Sequence, residues 1–228
     1  SATPFRRDGL SSVIFWHCGP LAHKIQQADL EMTGDIVPAD VMLRYTRFQP
    51  LTDPGFEYGR ALAELTEDYS RNSLIAADVA AEAKKGAGIC LCLTDRKKHA
   101  ETLKELIALH NVTADILTGE LSAAKRAEIV GRLNTGDIKV LIATGALLGE
   151  GFDCRGLSTL FMATPISYQG RVIQYLGRVL RPAPGKSKAL IYDYIDRPGV
   201  WVNSAHKRQD IYQRNKWSIG YEKKNLAA

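Results

Sequence analysis

No apolar run in these 228 residues reaches the ~18 from which a membrane-spanning helix is built, so the sequence offers nothing to cross a bilayer. Cysteine is scarce. Cys18, Cys90, Cys92 and Cys154 keep neither metal-ligand nor disulfide spacing, so a zinc cluster and a disulfide scaffold are both set aside. No metal site is expected, and a reducing, cytoplasmic setting follows. There is no repeat, no low-complexity tract and no signal-peptide pattern. Charge is nearly balanced, 30 Lys and Arg against 25 Asp and Glu. The resulting net charge of +5 permits nucleic-acid binding without requiring it. What is present is apolar residue in quantity, 45% of the chain, enough for a sizeable core in one domain, or in one domain with an appendage.

The patterning is regular from Ile89 onward. Ile89–Leu93 is a continuous apolar run and reads as a strand covered on both faces, and Ala114–Leu117, Lys139–Ala143, Thr159–Ala163 and Ala189–Tyr194 read as further strands. Cys90 and Cys92, two apart, fall on one face of the first of these. Helical periods lie between them, to about Leu109, from Ser122 to Leu133 and from Ser167 to Leu180. Alternation of this kind predicts βαβ units, a parallel sheet and an α/β/α three-layer fold. Upstream, Val41–Phe48 reads as a strand, and Tyr58–Tyr69 and Ser73–Lys84 read as helices. Asp8 is placed to cap a short helix through Leu10, Val13, Ile14 and Cys18, stopped by Gly19-Pro20. Residues 203–217 read as a polar helix that Ile211, Tyr212 and Trp217 dock. Lys207, Arg208, Arg214, Lys216, Lys223 and Lys224 make that end basic, a solvated tail in the first reading and a nucleic-acid contact in the alternative.

The stretch Leu141–Pro182 holds two polar, Gly-rich or cationic clusters, each following a strand. Ligands of open α/β sheets sit at the carboxyl ends of strands, so both clusters are expected on that rim. Arg178 and Arg181, three apart on a helix, would share one face while Leu176, Val179 and Leu180 turn to the core. Two guanidinium groups with no acid between them want an anion, either a carboxylate elsewhere or a phosphate. The alternative is a solvated basic helix end, stopped by Pro182 and Pro184.

Gly149-Glu-Gly-Phe-Asp153 resembles motif V of the superfamily-two helicases, and Gln174-Tyr-Leu-Gly-Arg-Val-Leu-Arg181 resembles their motif VI, QxxGRxxR. Val140-Leu-Ile-Ala-Thr144 is similar to the strand entering motif V, and Ser1-Ala-Thr3 to motif III, which ends the first RecA-like lobe. The subgroup resembled is that of restriction-enzyme motor subunits and XPB-type repair helicases. The resemblance implies a RecA-like, P-loop NTPase-type helicase C-terminal lobe over 41–200, a remnant of the first lobe and linker over 1–40, and the basic tail over 201–228. Residues 21–40 would then lean on a sheet that belongs to the first lobe.

The same resemblance implies roles. Arg178 and Arg181 would be arginine fingers for ATP held, with Mg²⁺, by a first lobe. Gln174 would reach the nucleotide or motif III, Gly177 would let the lobes approach, Asp153 would accept from ribose, and Glu150 and Gly151 would hold that loop. Thr144, Arg126 and Arg96 would hold the nucleic-acid backbone, DNA by subgroup, with RNA left open. Repair or restriction subunits are the implied partners.

A phosphate loop requires GxxxxGK[ST]. Gly185-Lys186-Ser187 matches its end, but position 180 is Leu, and Lys186 reads as a loop lysine. No DEAH-like acid pair occurs. The chain alone is therefore expected to hold no ATP tightly and to be inactive. Two other classes are weighed: a non-catalytic RecA-like module binding nucleic acid or protein, and a free-standing nucleotide enzyme, for which GxGxxG after a strand is missing.

Overall fold

The computed structural model describes residues 6, 8–23, 25–86, 88–144, 154, 156–166, 169–197 and 199–221. Ser1-Ala-Thr3, Glu150, Gly151, Asp153, Lys223 and Lys224 lie outside the described residues. In chain order the elements are α1 (Ser11–Cys18), α2 (Gln27–Met32), β1 (Ala39–Tyr45), α3 (Tyr58–Glu67), α4 (Tyr69–Lys85), β2 (Ile89–Thr94), α5 (Lys97–Ala108) and β3 (Ala114–Leu117). There follow α6 (Ala123–Thr135), β4 (Val140–Thr144), β5 (Leu157–Met162), α7 (Gln169–Val179), β6 (Ala189–Ile195), α8 (Gly199–Arg214) and β7 (Ser218–Tyr221).

The strands form one seven-stranded sheet in the order β3-β4-β2-β5-β6-β1-β7, parallel throughout. Every residue of β2 and β5 is buried, as a strand sandwiched between helix layers must be. Cys90 and Cys92 turn to one face, with Val140, Ile142 and Phe161, and meet Ile75 and Val79 of α4 and Leu103 and Ile107 of α5. Leu91 and Leu93 turn to the other and join Ile129 of α6, Leu176 and Val179 of α7, and Ile211 and Tyr212 of α8. Burying each such side chain stabilises the fold by roughly 1.5–3 kcal/mol. The three-layer parallel α/β architecture expected from the alternation is the one observed. Among the described residues no helix is long and apolar enough to cross a membrane.

Local chemistry sets the helix ends. Asp68 accepts from the Arg71 N–H at 2.6 Å and starts α4 one residue after α3 ends. Gly86, at φ 77°, stops it. The break between α3 and α4 thus falls at a capping aspartate, earlier than the apolar period places it.

Two expectations are corrected. Leu10, not Asp8, occupies the N-cap position of α1, and no side chain caps that helix; Asp8 accepts from the Leu10 N–H at 3.1 Å and pairs with Arg6. The residues after 200 carry more than a solvated tail. In α8, Trp201, Ala205, Arg208 and Tyr212 are buried, and β7 extends the sheet beside β1. Arg208 itself is 2% exposed, because Asp193 of β6 neutralises it in the interior. By contrast, α1 and α2 bury no residue, and Trp16 and Met32 are 79% and 87% exposed.

Candidate functional site

At the carboxyl edge the sheet brings three of the candidates together. β3, β4 and β2 are adjacent, and Thr94 and Thr144 are level in register. Thr144 ends β4, half-buried. Arg96 follows β2, and Arg126 lies in the first turn of α6, which follows β3. The Arg126 guanidinium donates to Leu121 O at 3.0 Å and Gly119 O at 2.9 Å, so it also holds the β3–α6 connection. The Arg96 N–H donates to Thr94 Oγ1, and its exposed guanidinium donates to Gly59 O at 3.2 Å.

Behind Arg96 runs a buried polar chain. Thr94 Oγ1 lies 2.8 Å from His99 Nδ1, and His99 Nε2 lies 2.9 Å from Asn72 Oδ1. Asn72 Nδ2 donates to Thr66 O, so its oxygen is left to accept. His99 therefore carries its proton on Nε2 and accepts from the Thr94 hydroxyl. Burial, helped by the Arg71 charge, pulls His99 down to about 3, and the ring is neutral. Within the polar group 95–99, His99 thus points inward, away from the rim. Arg171, at the start of α7, meets Asp95 across this edge at 3.5 Å.

The arginine pair lies elsewhere. α7 follows the carboxyl end of β5 and runs back along the sheet. Its 11 residues span about 16 Å, enough to cross a six-residue strand most of the way. Its end is therefore at the amino edge. There Leu180 O accepts from Val37 N–H at 2.9 Å, just before β1, and Lys186 Nζ reaches Leu157 O at the start of β5. The expectation that both clusters share the carboxyl rim is corrected for this reason. The shared helix face is corrected too: α7 stops at Val179, so Arg178 lies in its last turn and Arg181 lies beyond it.

Val172, Tyr175, Leu176 and Val179 turn α7 into the core, leaving Gln174 and Gly177 exposed and Arg178 half-exposed. Among the described residues, a Cβ at Gly177 would meet nothing within 4 Å outside its own turn of helix. Arg181 is exposed. Gly156, where the chain re-enters β5, is on the same edge, its carbonyl accepting from Ile89 N–H.

Two buried ion pairs hold backbone carbonyls just after β5. Arg71 of α4 donates to both oxygens of Asp196, at 2.8 and 2.9 Å, and to Ala163 O. Arg208 of α8 donates to both oxygens of Asp193 and to Ile166 O at 3.0 Å. Burial alone would lower the Arg208 pKa; the Asp193 charge and hydrogen bonds raise it. Ala163 and Ile166 both lie in the described part of the connection between β5 and α7. Sequence reasoning missed both arginines, although Trp201, Ala205, Arg208 and Tyr212 follow the helical stripe that marks a buried face.

Lys186 was also underread. Its ammonium donates to Leu157 O at 2.6 Å, to Arg181 O at 2.8 Å and to Val179 O. Among the described residues no group of three His, Cys, Asp or Glu side chains could hold a metal. The Cys90 and Cys92 thiols are buried and pushed up to about 12, which makes them inert core residues.

The profile of the helicase conserved C-terminal domain matches residues 70–183. Putative helicase 22 of Sulfolobus islandicus filamentous virus (isolate Iceland/Hveragerdi) is 24% identical over 225 residues, 93% of this chain and 40% of the viral protein. UvrABC system protein B of Fervidobacterium nodosum (strain ATCC 35602 / DSM 5306 / Rt17-B1) is 29% identical over 151 residues, 63% of this chain and 22% of that protein. The chain thus spans less than half the length of these curated relatives. The crystal structure of T4 UvsW superposes with a TM-score of 0.63 at 18% identity, covering 85% of this chain and 42% of that one.

Proposed function

The chain belongs to the helicase conserved C-terminal domain family, as the second lobe of a superfamily-two helicase, and from that premise we propose that it is one half of an ATP-driven DNA motor. In this reading Arg178 and Arg181 act in trans on ATP bound by a first lobe. Bound ATP and Mg²⁺ would supply phosphoryl transfer to water, and this chain's part is to meet the charge that develops on the transferring group. An arginine so placed is worth on the order of a thousandfold or more in rate.

The observation that carries the reading is the separation of two cationic sites. Arg178 and Arg181 stand at the amino edge, with exposed or half-exposed side chains on a lobe that has no phosphate loop. Such guanidinium groups suit phosphate offered by another surface. Thr144, Arg96 and Arg126 stand at the carboxyl edge of three adjacent strands. A hydroxyl and two guanidiniums there suit sugar-phosphate backbone, which carries no base identity. A motor that steps along any sequence needs both, kept apart.

The remaining roles follow from the family motifs. Gln174 and Gly177 face outward on α7, suited to a nucleotide or an opposing lobe. Glu150, Gly151 and Asp153 would form the loop against the ribose. Mg²⁺ belongs to the first lobe, and the exposed α1 and α2 would pack there. Repair or restriction subunits remain the proposed wider partners.

Phosphate release from Mg–ATP by the purified chain, with single-stranded DNA or RNA present, tests the division of labour. Background release is the expectation. Robust Mg²⁺-dependent release that Arg178→Ala abolishes would overturn it.

A further inference from the structure

Resting on that reading, we infer that Lys186 is a positioning residue for the arginine pair, pinning the end of α7 to the start of β5. The chain from Pro182 to Lys186 is built to deliver it. Pro182 and Pro184 prevent the helix from continuing. Gly185 sits at φ 76°, a left-handed conformation that favours glycine, and the Lys186 N–H closes the turn on Ala183 O at 3.0 Å.

An α-helix ends with carbonyls that lack intrahelical partners. Here the carbonyl of the last helical residue and those of the two residues after it are held. Leu180 O takes the Val37 N–H, while Val179 O and Arg181 O take the Lys186 ammonium. The third ammonium hydrogen goes to Leu157 O. An ammonium has three donors and no acceptor, so three converging carbonyls use it fully. A planar guanidinium could not converge on them, and a neutral side chain would leave them bare. The negative end of the helix dipole favours the cation further.

The consequence concerns the arginines. Val179, whose carbonyl is held, directly follows Arg178, and the Arg181 carbonyl is itself a ligand of the ammonium. The backbones that aim both guanidiniums are thus tied to the sheet by one side chain. Burial lowers Lys186 only to about 8, so the group is charged at neutral pH. No activity is assigned to Lys186 itself; it does not reach toward an external anion.

The test uses the full-length protein carrying both lobes, assayed well below its melting temperature. Lys186→Met should lower kcat for ATP hydrolysis about tenfold or more, with KM within about twofold. It should also cut, by a similar factor, the preference for an ADP–metal-fluoride transition-state mimic over ADP. Loss of folded material alone would not move that affinity ratio. Lys186→Arg keeps the charge without the three-way convergence and should show the same losses if the Met variant does not fold. A ratio and kcat at the wild-type level in either folded variant overturn the inference. If Arg178→Ala leaves kcat unchanged, the nucleotide reading fails; if Arg178→Ala collapses kcat while Lys186→Met does not, only the positioning role fails.

Discussion

Replacing Gly177 by alanine separates what the lobe needs from what an approaching surface needs. Gly177 lies in the last turn of α7, is solvent-facing, and has no positive φ. A Cβ there would contact nothing within 4 Å. Glycine in a helix is about 0.5–1 kcal/mol less stable than alanine. No described residue outside its own turn of helix crowds that position, so Gly177→Ala should stabilise the isolated chain by about 0.5–1 kcal/mol. For a domain of this size that raises the melting temperature by roughly 1–4 °C. Gly131, exposed in α6 with the same open space, is the matched control and should gain as much. The two variants part only where a second surface closes on α7. In the full-length protein, ATP hydrolysis should fall for Gly177→Ala and hold for Gly131→Ala. Thermal melts and steady-state phosphate release read both quantities. A destabilised Gly177→Ala lobe would mean that the fold itself requires the glycine. Equal hydrolysis by both variants would remove the close approach from the account.

Arg208→Met should cost about 3–5 kcal/mol in urea denaturation, because Asp193 is left buried and charged. Pairing it with Asp193→Leu should recover part of that loss. His99 sits near 3 in the fold against a usual value of about 6.5, so the unfolded chain takes the proton first as pH falls. Its contribution to stability is therefore complete above about 6.5 and lost toward 3, at up to ~1.4 kcal/mol per pH unit. Urea curves at stepped pH should show that slope, and His99→Gln should flatten it. Amide hydrogens of α1, which buries no residue, should exchange orders of magnitude faster than those of β2. Comparable protection in the two would show that 11–18 is packed as part of the lobe.

The sheet was legible because its central strands are self-declaring. Ile89–Leu93 is an unbroken apolar run, and Ala114–Leu117 was bounded correctly by its flanking polar residues, whereas β5 begins at Leu157, two residues before the strand read at Thr159–Ala163, because Ser158 and Thr159 mask its start. β7 was not legible. Ser218–Tyr221 is short, holds a glycine and buries little, so it is a strand only because β1 lies beside it. Arg208 was misread for the opposite reason: its charge hid its place on the buried stripe of α8. At the candidate site the edge was not readable from the sequence. Motif spacing singles out Arg178 and Arg181 as candidates, but the length of α7 and the parallel sheet decide that they stand at the amino edge. Lys186 was beyond reach of local pattern, since two of its three acceptors are named only by where a helix stops and the third by where a strand starts.

The most direct measurement is single-turnover ATP hydrolysis by the full-length protein with Arg178→Ala, beside nucleotide affinity in the same variant. The account predicts a rate lowered on the order of a thousandfold, with ADP bound at close to the wild-type affinity. A wild-type rate would mean that the guanidinium at the end of α7 meets no transferring phosphoryl group.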